Sequence, residues 1–199
     1  DIEIIELLPG LMGMSVLFGT TSMLAVTITF ERKGRSFERL LLAPIGLSTL
    51  VLAKISGAVM FGIINAFVPV VFASFFTDLS GINWLLVVIA VLLIAISSTL
   101  LGLLIAVSAK EVFEAQTFSN FFRFPMLFLC GLFVPIENLP SILKAISFCL
   151  PLTYGTDMLN ATIIGTSIMN SYFSIFMMIV FVALLFYISR RNIDRKWIL

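Results

Sequence analysis

Uncharged runs long enough to form membrane-crossing helices recur along the chain. A bilayer core is ~30 Å thick, and a helix rising 1.5 Å per residue needs about 20 apolar residues to cross it. Leu7 to Phe30, Ile55 to Thr77 and Leu79 to Ala109 carry no charge, and the last has room for a loop around Gly81, Asn83 and Trp84 before its helix. Ala115 to Ile136 is interrupted by Arg123 alone. Met158 to Ser189 is uncharged but polar from Asn160 through Asn170, which leaves about Ser171 to Ser189 as the apolar part. The pattern predicts one all-α domain, a polytopic membrane helix bundle with five transmembrane helices near residues 7–30, 55–77, 84–107, 115–136 and 170–189.

Shorter patterns fill the gaps. The densest charge cluster runs from Glu31 to Pro44 and opens the connection between the first two spans. Ser36 can cap a short helix over about 36–44, which Pro44 and Gly46 stop. On it Phe37, Leu40 and Leu41 share one stripe, with Glu38 and Arg39 beside them. A charge-ringed apolar stripe suits a protein partner or a lipid surface, and an interfacial loop whose basic residues only set topology has the same composition. Lys54, further on, has a stem long enough to reach headgroups.

About 137–151 a second short helix is expected. Leu139, Ile142, Leu143, Ile146, Cys149 and Leu150 follow the 3.6-residue period, with Pro140 in the first turn and Pro151 at the end. It is too short to span, so it should lie in the outer interface or dip in as a re-entrant element. An outer gate for an amphipathic cargo and a plain interfacial spacer both fit. Small residues at four-residue spacing, Ala58-Gly62-Ala66 and Ser98-Gly102-Ala106, mark stripes where helices can approach closely. Pro69 and Pro125 should kink their helices.

Composition narrows the class. The 199 residues are 60% apolar and 12% charged, with 20 Phe and no His, and the mean hydropathy is +1.16. Ordinary soluble domains are ~45–50% apolar and ~25% charged, so a soluble enzyme core, a disordered chain and a nucleic-acid binder are excluded. The distribution of charge says more than the net +1. If five spans alternate across the bilayer, 11 of the 12 basic residues fall on one side, and six acidic residues with Lys144 fall on the other. By the positive-inside rule the basic side is cytoplasmic, which places this multi-pass chain in the cell membrane with its C-terminus inside. The chain opens with Asp1 on the outer side, for which a cleaved signal peptide is one explanation and a first span lost upstream, giving six in all, the simpler one.

Candidate chemistry is sparse. No span holds a paired acid or an acid–base constellation, which argues against proton relays and intramembrane hydrolysis. Arg123, the exception, is expected to snorkel towards Glu111, Glu114 and the headgroups. No Gly-rich loop ending in Lys-Ser or Lys-Thr could cradle a nucleotide, so energy must come from another subunit. Cys130 and Cys149 read as small core residues.

Three blocks together resemble the type 2 ABC transporter permeases. The first opens a span at Pro9-Gly10, runs through Glu31-Arg32-Lys33-Gly34-Arg35-Ser36-Phe37-Glu38-Arg39-Leu40-Leu41-Leu42-Ala43-Pro44 and reaches Lys54. The second is Phe124-Pro125-Met126-Leu127-Phe128-Leu129-Cys130-Gly131-Leu132-Phe133-Val134-Pro135 with Leu139-Pro140, and the third is Leu150-Pro151-Leu152-Thr153-Tyr154-Gly155. Departures from the family pattern are Gly34 one place early, Ser36-Phe37 for Thr-Leu, Ala53 before Lys54, and Asn160 in place of a basic residue.

The resemblance implies a six-span permease half that pairs with a second copy as a homodimer in membrane lipid. Two cytoplasmic ABC ATPase subunits would drive it, with ATP and Mg held there, no cofactor on this chain and no enzyme activity of its own. It implies that 36–44 is a coupling helix, with Glu31, Arg32, Arg35, Phe37, Glu38, Arg39, Leu40 and Pro44 contacting the ATPase. It also implies that the outer segment is a re-entrant amphipathic hairpin, with Pro135, Leu139, Pro140, Ile142, Leu143 and Ile146 as its gate. Export of a hydrophobic or amphipathic substrate follows; a passive pore or scramblase, or a non-transporting structural subunit, would share the same spans.

Overall fold

In lipid a backbone must satisfy its own hydrogen bonds, and the chain answers with helices. The structure, a computed structural model, describes residues 4–34, 46–132 and 134–196. Among these the elements are α1 (Ile4–Lys33), α2 (Leu47–Ala73), α3 (Trp84–Ser108), α4 (Val112–Leu129), α5 (Ser141–Ser147), α6 (Pro151–Ile163) and α7 (Ser171–Lys196), with a 3-10 turn at Ile136–Asn138 before α5. Four stretches, Ile5–Lys33, Ser48–Ala73, Trp84–Ser108 and Ser171–Ile193, are long and apolar enough to cross a membrane.

The most apolar helix sits at the centre. α3 packs on α1, α2, α6 and α7, and Val87, Ala90, Val91, Ile94 and Ala95 are fully buried. The two small-residue stripes lie on either side of α1. A Cβ on Gly62 would overlap Thr20 Cγ2, and one on Gly102 would stand 2.9 Å from Thr21 O. Neighbouring threonines of α1 thus face the stripes of α2 and α3, where only glycine lets the backbones come so close. Both hydroxyls are satisfied within α1, Thr20 Oγ1 donating to Val16 O at 2.8 Å and Thr21 Oγ1 to Leu17 O at 2.7 Å. Outward, Met60, Ile64 and Phe72 of α2 and Tyr172, Phe176, Ile179 and Leu184 of α7 are exposed, an apolar belt suited to lipid.

Charges gather at the two ends. Ile193 of α7 packs with Leu24, Ile28, Val51, Leu103 and Val107, and Ala115 of α4 packs with Ala25, Ile105 and Ala109. These contacts bring the turns carrying Arg32, Lys33, Lys54, Lys110 and Arg190 to one end, the basic end. At the opposite, acidic end Glu6, Glu137 and Asp157 line a cavity of about 480 Å³.

Between α4 and α7 the path differs from the sequence expectation. The helix expected over 115–136 stops at Leu129, because Gly131 takes a left-handed φ of +79° and turns the chain so that Ile136 folds back on it. The single helix expected over 137–151 is broken into the 3-10 turn and α5, and Pro151 opens α6 rather than only closing what precedes it. Proline's fixed φ and missing N–H suit the first helical position, so the same residue serves as a stop and as a start.

At 13 residues, α6 rises ~20 Å and cannot span, yet most of it is buried and none of it is exposed. Gly155 lies directly on Ile94 at mid-depth of α3. A half-helix at this depth is tolerated because protein encloses it. Pro69 and Pro125, expected to kink their helices, lie inside α2 and α4, which continue through them. Cys130 is buried as expected, whereas Cys149 is exposed beyond α5; both are free thiols.

Candidate functional site

The last turn of α1 supplies the first two residues of the charge cluster, and both are engaged within the bundle. Glu31 accepts two hydrogen bonds from Lys54 Nζ, at 2.7 Å to Oε1 and 2.5 Å to Oε2. The pair is partly shielded from solvent, and an ion pair of this kind is worth about 1 kcal/mol. It ties the end of α1 to the third turn of α2, across the base of the 35–45 segment. Lys54, expected to reach headgroups, spends its ammonium here.

Arg32 turns the other way. Its Nη1 donates to Ala106 O at 3.2 Å and Ala109 O at 3.4 Å, carbonyls at the end of α3 left without helical partners. A guanidinium there also complements the negative end of the α3 dipole. Nearby, Lys110 N donates to Glu114 Oε2 at 2.7 Å, placing a carboxylate at the positive end of α4. Glu31 and Arg32 thus lash α1 to both neighbours within one turn. The other expected ATPase contacts, Arg35, Phe37, Glu38, Arg39, Leu40 and Pro44, lie outside the described residues, as does the helix expected over 36–44. The chain re-enters at Gly46, extended at φ −63° and ψ 144°, to cap α2.

Arg123 overturns the expectation that it snorkels. It is 1% exposed and faces α1, with Nη2 donating to Ser22 Oγ at 2.5 Å and Nη1 to Asn120 Oδ1 at 3.3 Å. Its guanidinium lies 4.9 Å from the Phe18 ring centroid. Eleven residues into α4, the position stands ~16 Å from the helix start, too far for the side chain to reach the end. Glu114 meanwhile serves the α4 terminus.

At the acidic end the expected gate residues separate. Pro135 lines the cavity with Glu6, Glu137, Asp157 and Asn160. Leu139 and Pro140 bracket the step into α5, whose Ile142, Leu143 and Ile146 present an exposed apolar face. Sequence reasoning missed the polar ties beneath them. Thr153 Oγ1 donates to Ser147 O at 2.6 Å and Thr156 Oγ1 to Cys130 O at 2.7 Å. Asp157, 3% exposed, accepts from Ile168 N at 2.7 Å, Met169 N at 3.3 Å and Ser174 Oγ at 3.2 Å, pinning the turn into α7. The signal was present: Thr153, Thr156 and Asp157 share one helical face after a proline at the first position. Further out, the Ser80 N–H and hydroxyl on Asp78 hold that carboxyl below its usual range.

A helical bundle with an apolar belt, charged ends and an enclosed half-helix defines a multi-pass membrane protein. Residues 2–164 match the ABC-2 type transporter family, and the chain belongs to it. All three blocks of the resemblance fall inside that match. The inner membrane transport permease YadH of Escherichia coli K12 is 26% identical over 148 residues, 74% of this chain and 58% of the relative. Nodulation protein J of Rhizobium leguminosarum bv. viciae is 26% identical over 117 residues, 57% and 45% of the two chains. The chain therefore spans less than two thirds of the length of these curated relatives.

Proposed function

We propose that the chain is the transmembrane permease part of an ATP-driven ABC transporter, not itself an enzyme, that exports a hydrophobic or amphipathic substrate across the cell membrane. ATP and Mg are held by cytoplasmic ATPase subunits, two permease copies pair, and the basic end with the C-terminus faces the cytoplasm. The segment from Glu31 to Pro44 docks on the ATPase, with Arg35 and Arg39 as ion-pair partners and Phe37 and Leu40 as the apolar anchor.

One observation carries this reading: the segment is tied at its base. Glu31–Lys54 joins the two helices that flank it, and Arg32 grips the end of α3. A load arriving between α1 and α2 is then shared by α1, α2 and α3. Family membership and a relative named as a transport permease support the same reading. At the far end, the cavity under Pro135 and the α5 face give the exit side something to open.

The test uses the full-length permease reconstituted with its ATPase. Phe37→Ala with Arg39→Glu is expected to abolish ATP-driven substrate movement while the protein still inserts and pairs. Wild-type transport by that variant refutes the docking role, and substrate movement without ATP assigns the chain to the passive pores or scramblases.

A further inference from the structure

Arg123 is a buried charge with no counter-ion among the described residues. Its hydrogen-bond and ring partners, Ser22, Asn120 and Phe18, are neutral, and among the described residues the one ion pair is Glu31–Lys54. Its Nε and the Ser119 hydroxyl one turn earlier are buried without a hydrogen-bond partner. An arginine near the middle of a bilayer costs ~2.5–3.5 kcal/mol even on lenient scales, and such residues mark the paths of ions and substrates.

Two of the arginine's contacts also line an open groove. Between α1 and α2 a groove of about 430 Å³ is walled by Phe18, Ser22, Met23, Val26 and Phe61. Its polar side chains are Ser22 and Thr27, and Ser22 is the one hydrogen-bonded to the arginine. Unlike Thr20, Thr21 and Thr29, which donate to carbonyls four residues back, Ser22 makes no such bond among the described residues. Its oxygen accepts from Arg123 and its proton is left for a guest. A hydroxyl that accepts from a cation is a stronger donor for it.

We infer that Ser22 and Arg123 form an intramembrane site for the anionic headgroup of a lipid whose hydrocarbon chain lies in the α1–α2 groove. Phosphate oxygen accepts the Ser22 proton, and Arg123 behind it supplies the missing opposite charge. Depth identifies this lipid as cargo. Ser22 is ~5 Å from the midpoint of α1, where a resident bilayer lipid does not keep its headgroup. The inference rests on the permease reading and deepens it by naming the cargo class.

The test measures binding to the full-length permease in neutral detergent, without nucleotide. The probes are fluorescent phosphatidic acid, the diacylglycerol with the same chains, and inorganic phosphate as competitor. Wild type is expected to prefer phosphatidic acid about tenfold. Ser22→Ala and Arg123→Gln are expected to bring the two lipids within about threefold by weakening phosphatidic acid alone, and Arg123→Lys to keep most of the preference. A wild type with no preference, or a Ser22→Ala protein that keeps it, overturns the site, and the serine variant decides if Arg123→Gln does not fold. Competition by millimolar inorganic phosphate reassigns the site to a free anion and overturns the lipid. A protein that transports with ATP but lacks headgroup preference refutes this site and leaves the permease reading standing.

Discussion

Adding one methyl group at Gly62 probes the close approach of α1 and α2. A Cβ there falls inside the van der Waals envelope of Thr20 Cγ2, while Ala95 Cβ stands 3.5 Å away in ordinary contact. Thr20 is fully buried, its β-branched χ1 is restricted, and its hydroxyl is bonded to Val16 O, so it cannot swing aside. The helices must part instead. Overpacking of this kind costs ~1–3 kcal/mol, against which alanine gains up to ~1 kcal/mol over glycine in helix propensity. Gly62→Ala is therefore expected to lose up to roughly 2 kcal/mol. Gly57, in the same helix, has nothing within 4 Å of its Cβ position, so Gly57→Ala isolates the propensity gain.

Thr20→Ser removes the methyl that Gly62→Ala strikes and keeps the hydroxyl. Alone it loses about 0.8 kcal/mol of apolar burial; combined with Gly62→Ala, the new methyl occupies the vacated space. The double-mutant cycle is expected to give a favourable coupling of ~1–3 kcal/mol. The assay is reversible unfolding in mixed micelles, followed by circular dichroism, for the single, double and Gly57→Ala proteins. A Gly62→Ala protein as stable as Gly57→Ala, or a double variant no better than Gly62→Ala, refutes the close approach.

Two further outcomes follow from named contacts. Glu31→Lys and Lys54→Glu each set like charges together and should lower unfolding stability by about 1 kcal/mol, whereas the exchanged pair Glu31→Lys/Lys54→Glu should recover it in the same assay. Asp157→Asn keeps one acceptor oxygen but turns an NH₂ towards backbone donors, so about 2 kcal/mol of local stability is expected to go; hydrogen exchange across 164–170 should speed up selectively.

Much of the bundle was legible because lipid imposes a coarse rule. Long uncharged runs gave helices, and the alternation of basic and acidic connections matched the two charged ends, since charges avoid the apolar middle. The small-residue stripes were readable as close contacts, but the two threonines of α1 that meet them were not. Their polarity is cancelled within their own turn, so nothing in their spacing distinguishes them from surface positions. Pro151 misled for a different reason, because a helix stop and a helix start make the same demand on φ. In the charge cluster, Glu31 and Arg32 looked like Arg35 and Arg39, and only the distances to Lys54 and to the α3 carbonyls show these first two to be structural ties.

Asp157 and Arg123 show how one polar pattern leads to opposite ends. Both are charged residues buried in an apolar bundle. Asp157 accepts two backbone N–H groups and a serine hydroxyl, so its oxygens are hydrogen-bonded by local donors that hold the turn into α7. Arg123 has neutral acceptors, one aromatic face and an Nε with no partner. A carboxylate surrounded by donors is a finished structural element. A guanidinium lacking an anion, behind a hydroxyl that opens on a groove, is half of an interaction whose other half must come from outside the chain.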